Sequence, residues 1–128
     1  MMTNTKMSIF NRYVNPTTKD VTFIKHLIDN VFWDDRKEVN QDKGHSKANN
    51  VQVFIPKNKN DLSDLVKPSQ FDGEKNWTIA TGDFIVKGDI DKSSVSKISE
   101  LEDVFTITFV DEKDYGSPNM HHFEIKGE

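Results

Sequence analysis

The residues with the clearest spacing for chemistry are oxygen-bearing side chains that follow a short apolar run. Counted from Asp89, the segment DIDKSSVSKISE places Asp89, Asp91, Ser93 and Glu100 at positions 1, 3, 5 and 12 of a loop. An EF-hand loop takes calcium ligands from these positions, so a calcium-binding regulatory or adhesion module is one hypothesis. Two features disfavour it: Ser94 stands where such a loop requires glycine, and the preceding residues alternate like a strand. A polar turn leading into a short helix is the simpler interpretation.

The histidines do not have the spacing of a metal site. His121 and His122 are adjacent, and neighbouring residues of a strand point to opposite faces. His26 and His45 are isolated, and no His-x-x-x-His or His-Glu-x-x-His pattern occurs. The sequence has no cysteine, which excludes disulfides, thiolate metal sites and cysteine nucleophiles. We therefore predict neither a metal nor a cofactor.

Recognisable catalytic motifs are also missing. No Gly-x-Ser-x-Gly, Walker-type or dinucleotide-binding glycine pattern occurs. Gly82-Asp83 precedes a strand, which is the wrong order for phosphate binding at a helix N-terminus. A small acid–base hydrolase stays open as an alternative, because one sequence cannot locate a pair of carboxylates. The pattern favours a protein that is not an enzyme.

The overall charge argues against a broad surface that grips nucleic acid. The 21 acidic residues outnumber the 17 basic ones, giving a formal net charge of -4. Lys57 and Lys59 lie close together, but no aromatic platform or basic run accompanies them, so we interpret them as a solvated loop. No segment approaches the roughly 20 apolar residues that a membrane-spanning helix needs, and no apolar run of signal-peptide length begins the sequence. We expect no association with a membrane.

The elements that must position these residues are mostly strands. The segment FTITF at 105–109 alternates apolar residues with threonine, the clearest strand pattern in the sequence. In NWTIATGDFIVKGDI at 76–90, two Gly-Asp pairs mark the start and the end of another strand. A turn cluster at 15–18 separates two apolar stretches, which predicts a hairpin. Short helices are predicted at 60–66 and 95–101.

These patterns predict one mainly β domain over residues 1–128. A chain of this length suits a single small antiparallel β-barrel or sandwich with one or two short helices. Its core is predicted to contain the larger side chains on the alternating faces, namely Phe84, Val86, Phe105, Ile107, Phe109 and Phe123, with Trp33 and Trp77.

One segment interrupts this pattern. Residues 34–50, DDRKEVNQDKGHSKANN, contain four acidic and four basic residues, with Val39 and Ala48 as the only apolar ones. Little in it can offset the entropy of ordering, so we predict a long mobile loop, and such loops in small domains are commonly functional. The side chains predicted to contact partners are Asp34, Asp35, Arg36, Lys37, Asp42, Lys43 and Lys47.

Several segments, taken in order, resemble a known kind of protein. They are FNRYVN, TFIKHLIDNVFWDD, VQVFIP, KPSQF, NWTIATGDFIVKGDI and SELEDVFTITFVDEKDYGSPNMHHFEIKGE. Together they resemble the small minor structural proteins of the head–tail gene module of tailed phages and prophages of Gram-positive bacteria. The resemblance is to the head-closure, or stopper, type of head–tail connector. The most specific parts are Trp77 with Gly82-Asp83 and Lys87-Gly88, and the closing Gly116-Ser117-Pro118 with His122-Phe123-Glu124.

The resemblance implies a β-barrel-like subunit of the virion, assembled in the cytoplasm of a bacterial host. Such subunits form a homo-oligomeric ring beneath the portal and adaptor, surround DNA without reading its sequence, retain the packaged genome and dock the tail. An acidic chain suits a DNA conduit, because tightly held phosphates would impede passage. An adaptor, a tail-terminator or another minor capsid protein of the same module stays open as an alternative.

Overall fold

The computed structural model describes residues 2–38 and 48–128. Within this part the chain forms seven strands and four short 3-10 turns, and no α-helix. The strands are β1 (Thr5–Val14), β2 (Val21–Glu38), β3 (Ala48–Pro56), β4 (Phe84–Lys87), β5 (Ser94–Val95), β6 (Phe105–Lys113) and β7 (His122–Gly127). The turns are Lys57–Lys59, Pro68–Gln70, Ile98–Glu100 and Pro118–Met120.

Six of the strands close into an antiparallel barrel. Backbone ladders join β1 to β2 and to β4, β4 to β6, β6 to β7, β7 to β3, and β3 back to β2. The two-residue β5 lies outside the barrel and pairs with β2. The predicted mainly β fold, a small antiparallel barrel, is confirmed.

The hairpin and the glycine-bounded strand are confirmed as well. Asn15 begins the turn between β1 and β2, and its side-chain oxygen accepts the backbone N–H groups of Thr17 and Thr18 at 2.8 and 3.1 Å. Gly82 and Gly88 flank β4 with φ of 92° and 89°, a left-handed conformation that favours glycine. The two Gly-Asp pairs therefore fix where β4 begins and ends.

Two strands change partners, and each carries a bulge where it does so. β2 pairs with β1 up to Val31 and with β3 from Phe32, and its register against β1 shifts between Ile28 and Val31. β6 pairs first with β4, then with β7, and its register shifts between Ile107 and Phe109. A bulge bends a strand and reverses which side chains point inward beyond it, so these two strands form corners of the barrel.

The barrel is filled by a set of buried side chains that we call the interior cluster. Aliphatic residues from the inward faces of the strands dominate it, and the segment before β4 adds an aromatic ring and an isoleucine. Its members are Met7, Ile9, Ile28, Val31, Trp33, Val51, Val53, Ile55, Trp77, Ile79, Ile85, Ile107 and Ile125.

A second set of buried side chains, the outer cluster, lies on the outer face of β1 and β4. Its buried members are Phe10, Val86, Val95 and Leu101, packed against half-buried Phe23, Phe84, Ile90, Ile98 and Val104. Residues 88–104, which we call the cover segment, supply about half of these side chains. Both faces of β4 are therefore buried, which explains its continuous apolar run.

Polar contacts attach the cover segment to the barrel. The Ser8 hydroxyl donates to the Gly88 carbonyl at 2.8 Å and accepts the Ile90 N–H at 3.0 Å. The Lys25 ammonium donates to the Ile90 carbonyl at 2.6 Å and forms an ion pair with Asp89. The connection thus depends on a few side chains and on the two-residue ladder of β5.

Most of the predicted core is buried or half-buried, but Phe109 is not. That prediction was wrong, since Phe109 is 41% exposed. The β6 bulge turns Phe109 outward and lets Val110 pack against the interior cluster instead. The prediction is confirmed for Trp33, Trp77 and Ile107, which are buried in the interior cluster, and for the half-buried Phe105 and Phe123, which pack against it. It was wrong about the inward face of β4, because Phe84 and Val86 belong to the outer cluster and Ile85 points into the barrel instead.

Two local predictions need correction. The helices expected at 60–66 and 95–101 are replaced by a turn at 62–65 and by the 3-10 turn Ile98–Glu100. The loop expected at 34–50 is shorter, because residues 34–38 belong to β2 and 48–50 to β3. Ladder hydrogen bonds between two strands satisfy their backbones, so polar residues can continue a hairpin past the apolar core. The rest of the predicted loop, 39–47, lies outside the described residues.

Candidate interaction surface

The continuation of the β2–β3 hairpin past the interior cluster is the first part of the candidate surface. We call it the arm, residues 34–38 paired with 48–52. Its register runs from Asp34 opposite Gln52 to Glu38 opposite Ala48. At its base Trp33 and Val51 are buried in the interior cluster. Two buried side chains and a continuous ladder thus anchor the arm to the barrel.

The structure places four of the predicted contact residues on the arm. Asp34, Asp35, Arg36 and Lys37 lie in β2, opposite residues 49–52 of β3. The exposed Asp35 accepts the indole N–H of Trp33 at 2.5 Å, so one side chain of the arm is held by the core. The other three predicted residues, Asp42, Lys43 and Lys47, lie outside the described residues.

An aromatic row is the second part of the surface, and sequence reasoning did not identify it. Phe32, Phe54 and His122 come from the outward positions of β2, β3 and β7. Their ring centroids are 6.2 Å apart for Phe32 and Phe54, and 5.6 Å apart for Phe54 and His122. All three side chains are half-buried. Phe32 and Phe54 are aromatic residues at outward strand positions, where polar residues are expected. The sequence does not show, however, that their strands and β7 are neighbours.

A charged ladder runs beside the aromatic row. Gln52 donates to Glu124 at 2.5 Å, and the Lys113 ammonium lies 2.8 Å from Asp111 and 3.8 Å from Glu124. The hydrogen bond from Lys113 lowers the pKa of Asp111 below its usual value and raises that of Lys113. The outer face of β3, β6 and β7 therefore carries both positive and negative side chains beside the aromatic row.

Phe109, which was predicted to lie in the core, belongs to this same outer face. The Lys126 ammonium lies 5.1 Å from the centroid of the Phe109 ring, which is a cation–π contact. Aromatic side chains are enriched at protein–protein interfaces, which makes this face the candidate interaction surface.

Two carboxylates of the calcium hypothesis, Asp89 and Glu100, have other partners. Asp89 is ion-paired with Lys25. The Glu100 carboxylate accepts hydrogen bonds from the backbone N–H groups of Ser96 and Lys97 at 2.9 and 3.0 Å. These bonds cap the start of the 3-10 turn Ile98–Glu100. Among the residues that the structure describes, no three His, Asp or Glu side chains converge as metal ligands.

A buried polar clamp joins β1 to the segment before β4, and sequence reasoning missed it. The Asn11 amide donates to the Thr78 carbonyl at 2.7 Å and to Asp83 at 2.8 Å, and the Arg12 N–H donates to Asp83 at 3.1 Å. Asp83 is only 5% exposed, and burial raises the pKa of its carboxyl group despite these hydrogen bonds. The clamp explains why aspartate follows Gly82 at the start of β4.

A stacked pair lies beside the clamp. The His26 imidazole stacks on the Trp77 indole with ring centroids 4.1 Å apart and planes 11° from parallel. Burial lowers the pKa of His26, and the nearby carboxylates of Asp64, Asp29 and Asp61 oppose the shift only in part. This contact packs a ring of β2 against the buried Trp77 of the interior cluster.

The sequence was also compared with known proteins. The profile of a family of unknown function, DUF6751, matches residues 2–128. The chain belongs to the DUF6751 family. A search of curated proteins and a search of solved structures each found no match. The barrel described above is thus a structural description of a DUF6751 domain.

Among the described residues, no helix is long and apolar enough to cross a bilayer.

Proposed function

We propose that this protein is a non-enzymatic structural component of a tailed-phage virion, a head–tail connector of the head-closure type. In this role it is one subunit of a homo-oligomeric ring. The ring joins the portal–adaptor complex to the tail and retains the packaged DNA.

The observation that carries the proposal is the outer face of the barrel, where the aromatic row Phe32, Phe54 and His122 adjoins the arm. Each of the six barrel strands has a neighbouring strand on both sides over part of its length, and the outward aromatic side chains lie on three adjacent strands of this closed sheet. Aromatic side chains are enriched at the centres of protein interfaces, and a rim of mixed charge surrounds such centres. A ring subunit needs a surface of this kind on a rigid scaffold.

The residues that carry the family resemblance also support the proposal, because they determine the fold. Gly82 and Gly88 bound β4, and Trp77 is buried in the interior cluster. A shared set of fold-determining residues is consistent with a shared barrel.

Charge is consistent with the same role. A net charge of -4 disfavours tight binding of DNA phosphates, which a conduit must avoid.

Electron microscopy of the purified full-length protein mixed with its portal–adaptor complex tests the proposal. We expect additional density, in a ring, at the tail-facing end of that complex. A mixture without added density would overturn the connector role.

A pair of variants tests the surface. Phe54→Lys places a charge in the aromatic row and is expected to abolish the added density. Val14→Lys is the matched control, since Val14 is a 39% exposed hydrophobic residue at the far end of β1. Thermal melting of both variants checks that the barrel is intact. Normal assembly of a folded Phe54→Lys variant would show that the aromatic row is not the contact.

A further inference from the structure

A cleft of about 720 Å³ lies at the base of the arm, where three parts of the molecule meet. Trp33 and Asp35 come from β2, Val86 and Lys87 from β4, and residues 102–104 from the cover segment. We call it the basal cleft. Its volume lies within the range of about 300–1,000 Å³ that is typical of binding pockets.

The basal cleft has an apolar floor. Trp33 and Val86 are buried, and Ile90, Val104 and Phe105 are half-buried. The two aromatic rings touch, because Trp33 and Phe105 meet edge to face with centroids 5.7 Å apart. This floor can cover the hydrocarbon part of a ligand.

The rim of the basal cleft is acidic. Asp35, Glu102, Asp103 and Glu128 are exposed at its edge, and Lys87 is the one basic residue among those that line it. Four carboxylates against one ammonium repel phosphate groups, so neither DNA nor a nucleotide fits. These carboxylates do not form a metal site either, since no metal-binding group occurs among the described residues.

An apolar floor beside an acidic rim matches an amphipathic cation. The aliphatic stem of arginine or lysine lies on apolar surface while its charged head reaches polar groups. Aromatic rings also attract a guanidinium group, and carboxylates bind it through paired hydrogen bonds. Charge and hydrophobicity therefore select the same kind of side chain.

We propose that the basal cleft binds a short basic segment of a partner protein, in which arginine or lysine alternates with aliphatic residues. The proposal goes beyond the connector role, because it names the chemistry of one partner segment and holds whatever assembly the protein joins. It concerns a different surface from the aromatic row.

Nuclear magnetic resonance with isotope-labelled full-length protein tests the proposal. The probe is a six-residue peptide of alternating leucine and arginine with blocked ends. We expect a saturable shift of the Trp33 indole N–H signal, since this group is hydrogen-bonded to Asp35 at the rim. The Trp77 indole does not line the cleft and serves as an internal reference. No saturable shift at Trp33 would overturn the proposal.

Two control peptides separate the floor from the rim. A peptide of alternating leucine and glutamate should not bind, because the rim repels it. A peptide of alternating glycine and arginine keeps the charge but cannot use the floor, so it should bind more weakly. Equal binding by the glycine–arginine peptide would mean that only charge is recognised, and would overturn the proposed specificity.

A matched pair of variants locates the site. Glu102→Gln with Asp103→Asn removes two rim charges and should weaken binding of the leucine–arginine peptide by roughly fivefold to tenfold. Asp20→Asn with Glu74→Gln removes two exposed charges that do not line the cleft, and should leave binding unchanged. Equal weakening in both double variants would contradict a local site. Neither pair alters the aromatic row, so failure here is distinguishable from failure of the connector role.

Discussion

The interior cluster and the outer cluster bury similar side chains but are built in different ways. The thirteen residues of the interior cluster come mainly from six strands that are joined by ladders into a closed barrel. The outer cluster depends on the cover segment, and among the described strands its ladder to the barrel is the short pairing of Ser94 and Val95 with β2. Cooperative unfolding is expected of the first cluster and local opening of the second.

Strand β4 contributes side chains to both clusters. Ile85 points into the barrel, whereas Phe84 and Val86 point to the outer cluster. These three consecutive residues therefore report on both environments. What differs is the layer that packs against each face, not the strand itself.

The largest effect is expected at Trp77, which is 3% exposed in the interior cluster. Trp77→Ala removes a buried ring and its stacking on His26, and should lower the free energy of unfolding by about 3–5 kcal/mol. Urea denaturation measures the loss. Tyr115→Ala is the control, since Tyr115 is 70% exposed and should change stability by only about 0.5 kcal/mol. A loss below about 1 kcal/mol for Trp77→Ala would contradict the description of the interior.

A smaller loss of stability is expected when the same two methyl groups are deleted from one valine in each cluster. Val53 and Val95 are 0% and 2% exposed, so their burial is matched. Val53→Ala should lower the free energy of global unfolding by about 1.5–2 kcal/mol. Val95→Ala should lower it by less, because the cover segment can relax into the space, and should speed hydrogen exchange locally around β5. Identical global losses without a local effect would remove the distinction between the clusters.

The buried polar clamp predicts that the free energy of unfolding depends weakly on pH through Asp83. Its pKa in the folded state is raised above the ordinary 3.8, so the folded protein holds a proton that the unfolded chain releases. The stability from this group is present below 3.8 and is lost as pH rises through the raised value. Urea denaturation of the wild type and of Asp83→Asn across that window measures the difference. We expect the wild type to lose stability relative to the variant as pH rises, and the opposite slope would refute the role of burial.

The smallest effect is expected at Phe109, which is 41% exposed. Phe109→Ala removes the cation–π contact with Lys126 and should cost about 0.5–1 kcal/mol. The half-buried Phe105, which contacts Trp33, is the matched residue and should cost more when changed to alanine. Phe109→Ala as the more damaging of the two would mean that the β6 bulge does not turn this ring outward.

Local patterns in the sequence were sufficient for several strands and for the turns that bound them. Alternation located β6, the Asn15 turn located the first hairpin, and the two Gly-Asp pairs located β4, because each feature depends on residues close together in the chain. The buried tryptophans were predictable from their size.

Features that depend on distant residues were not predictable in this way. A bulge inverts alternation without changing composition, so Phe109 was assigned to the wrong face. The arm is a pair of polar strands, and each half alone has the composition of a loop. The aromatic row exists only because β2, β3 and β7 are neighbours, and that order appears only after folding.

Native-state hydrogen exchange tests the central claim, a cooperative closed barrel with a separately opening cover. Two amides are diagnostic: Ile107 N–H donates to the Asp83 carbonyl at 2.8 Å within the barrel, and Lys25 N–H donates to the Ser93 carbonyl at 2.9 Å in the cover segment. We predict that Ile107 exchanges only by global unfolding, with the full dependence on urea, and that Lys25 exchanges through a smaller opening with little such dependence. Equal opening free energies and equal urea dependences for the two amides would contradict the account.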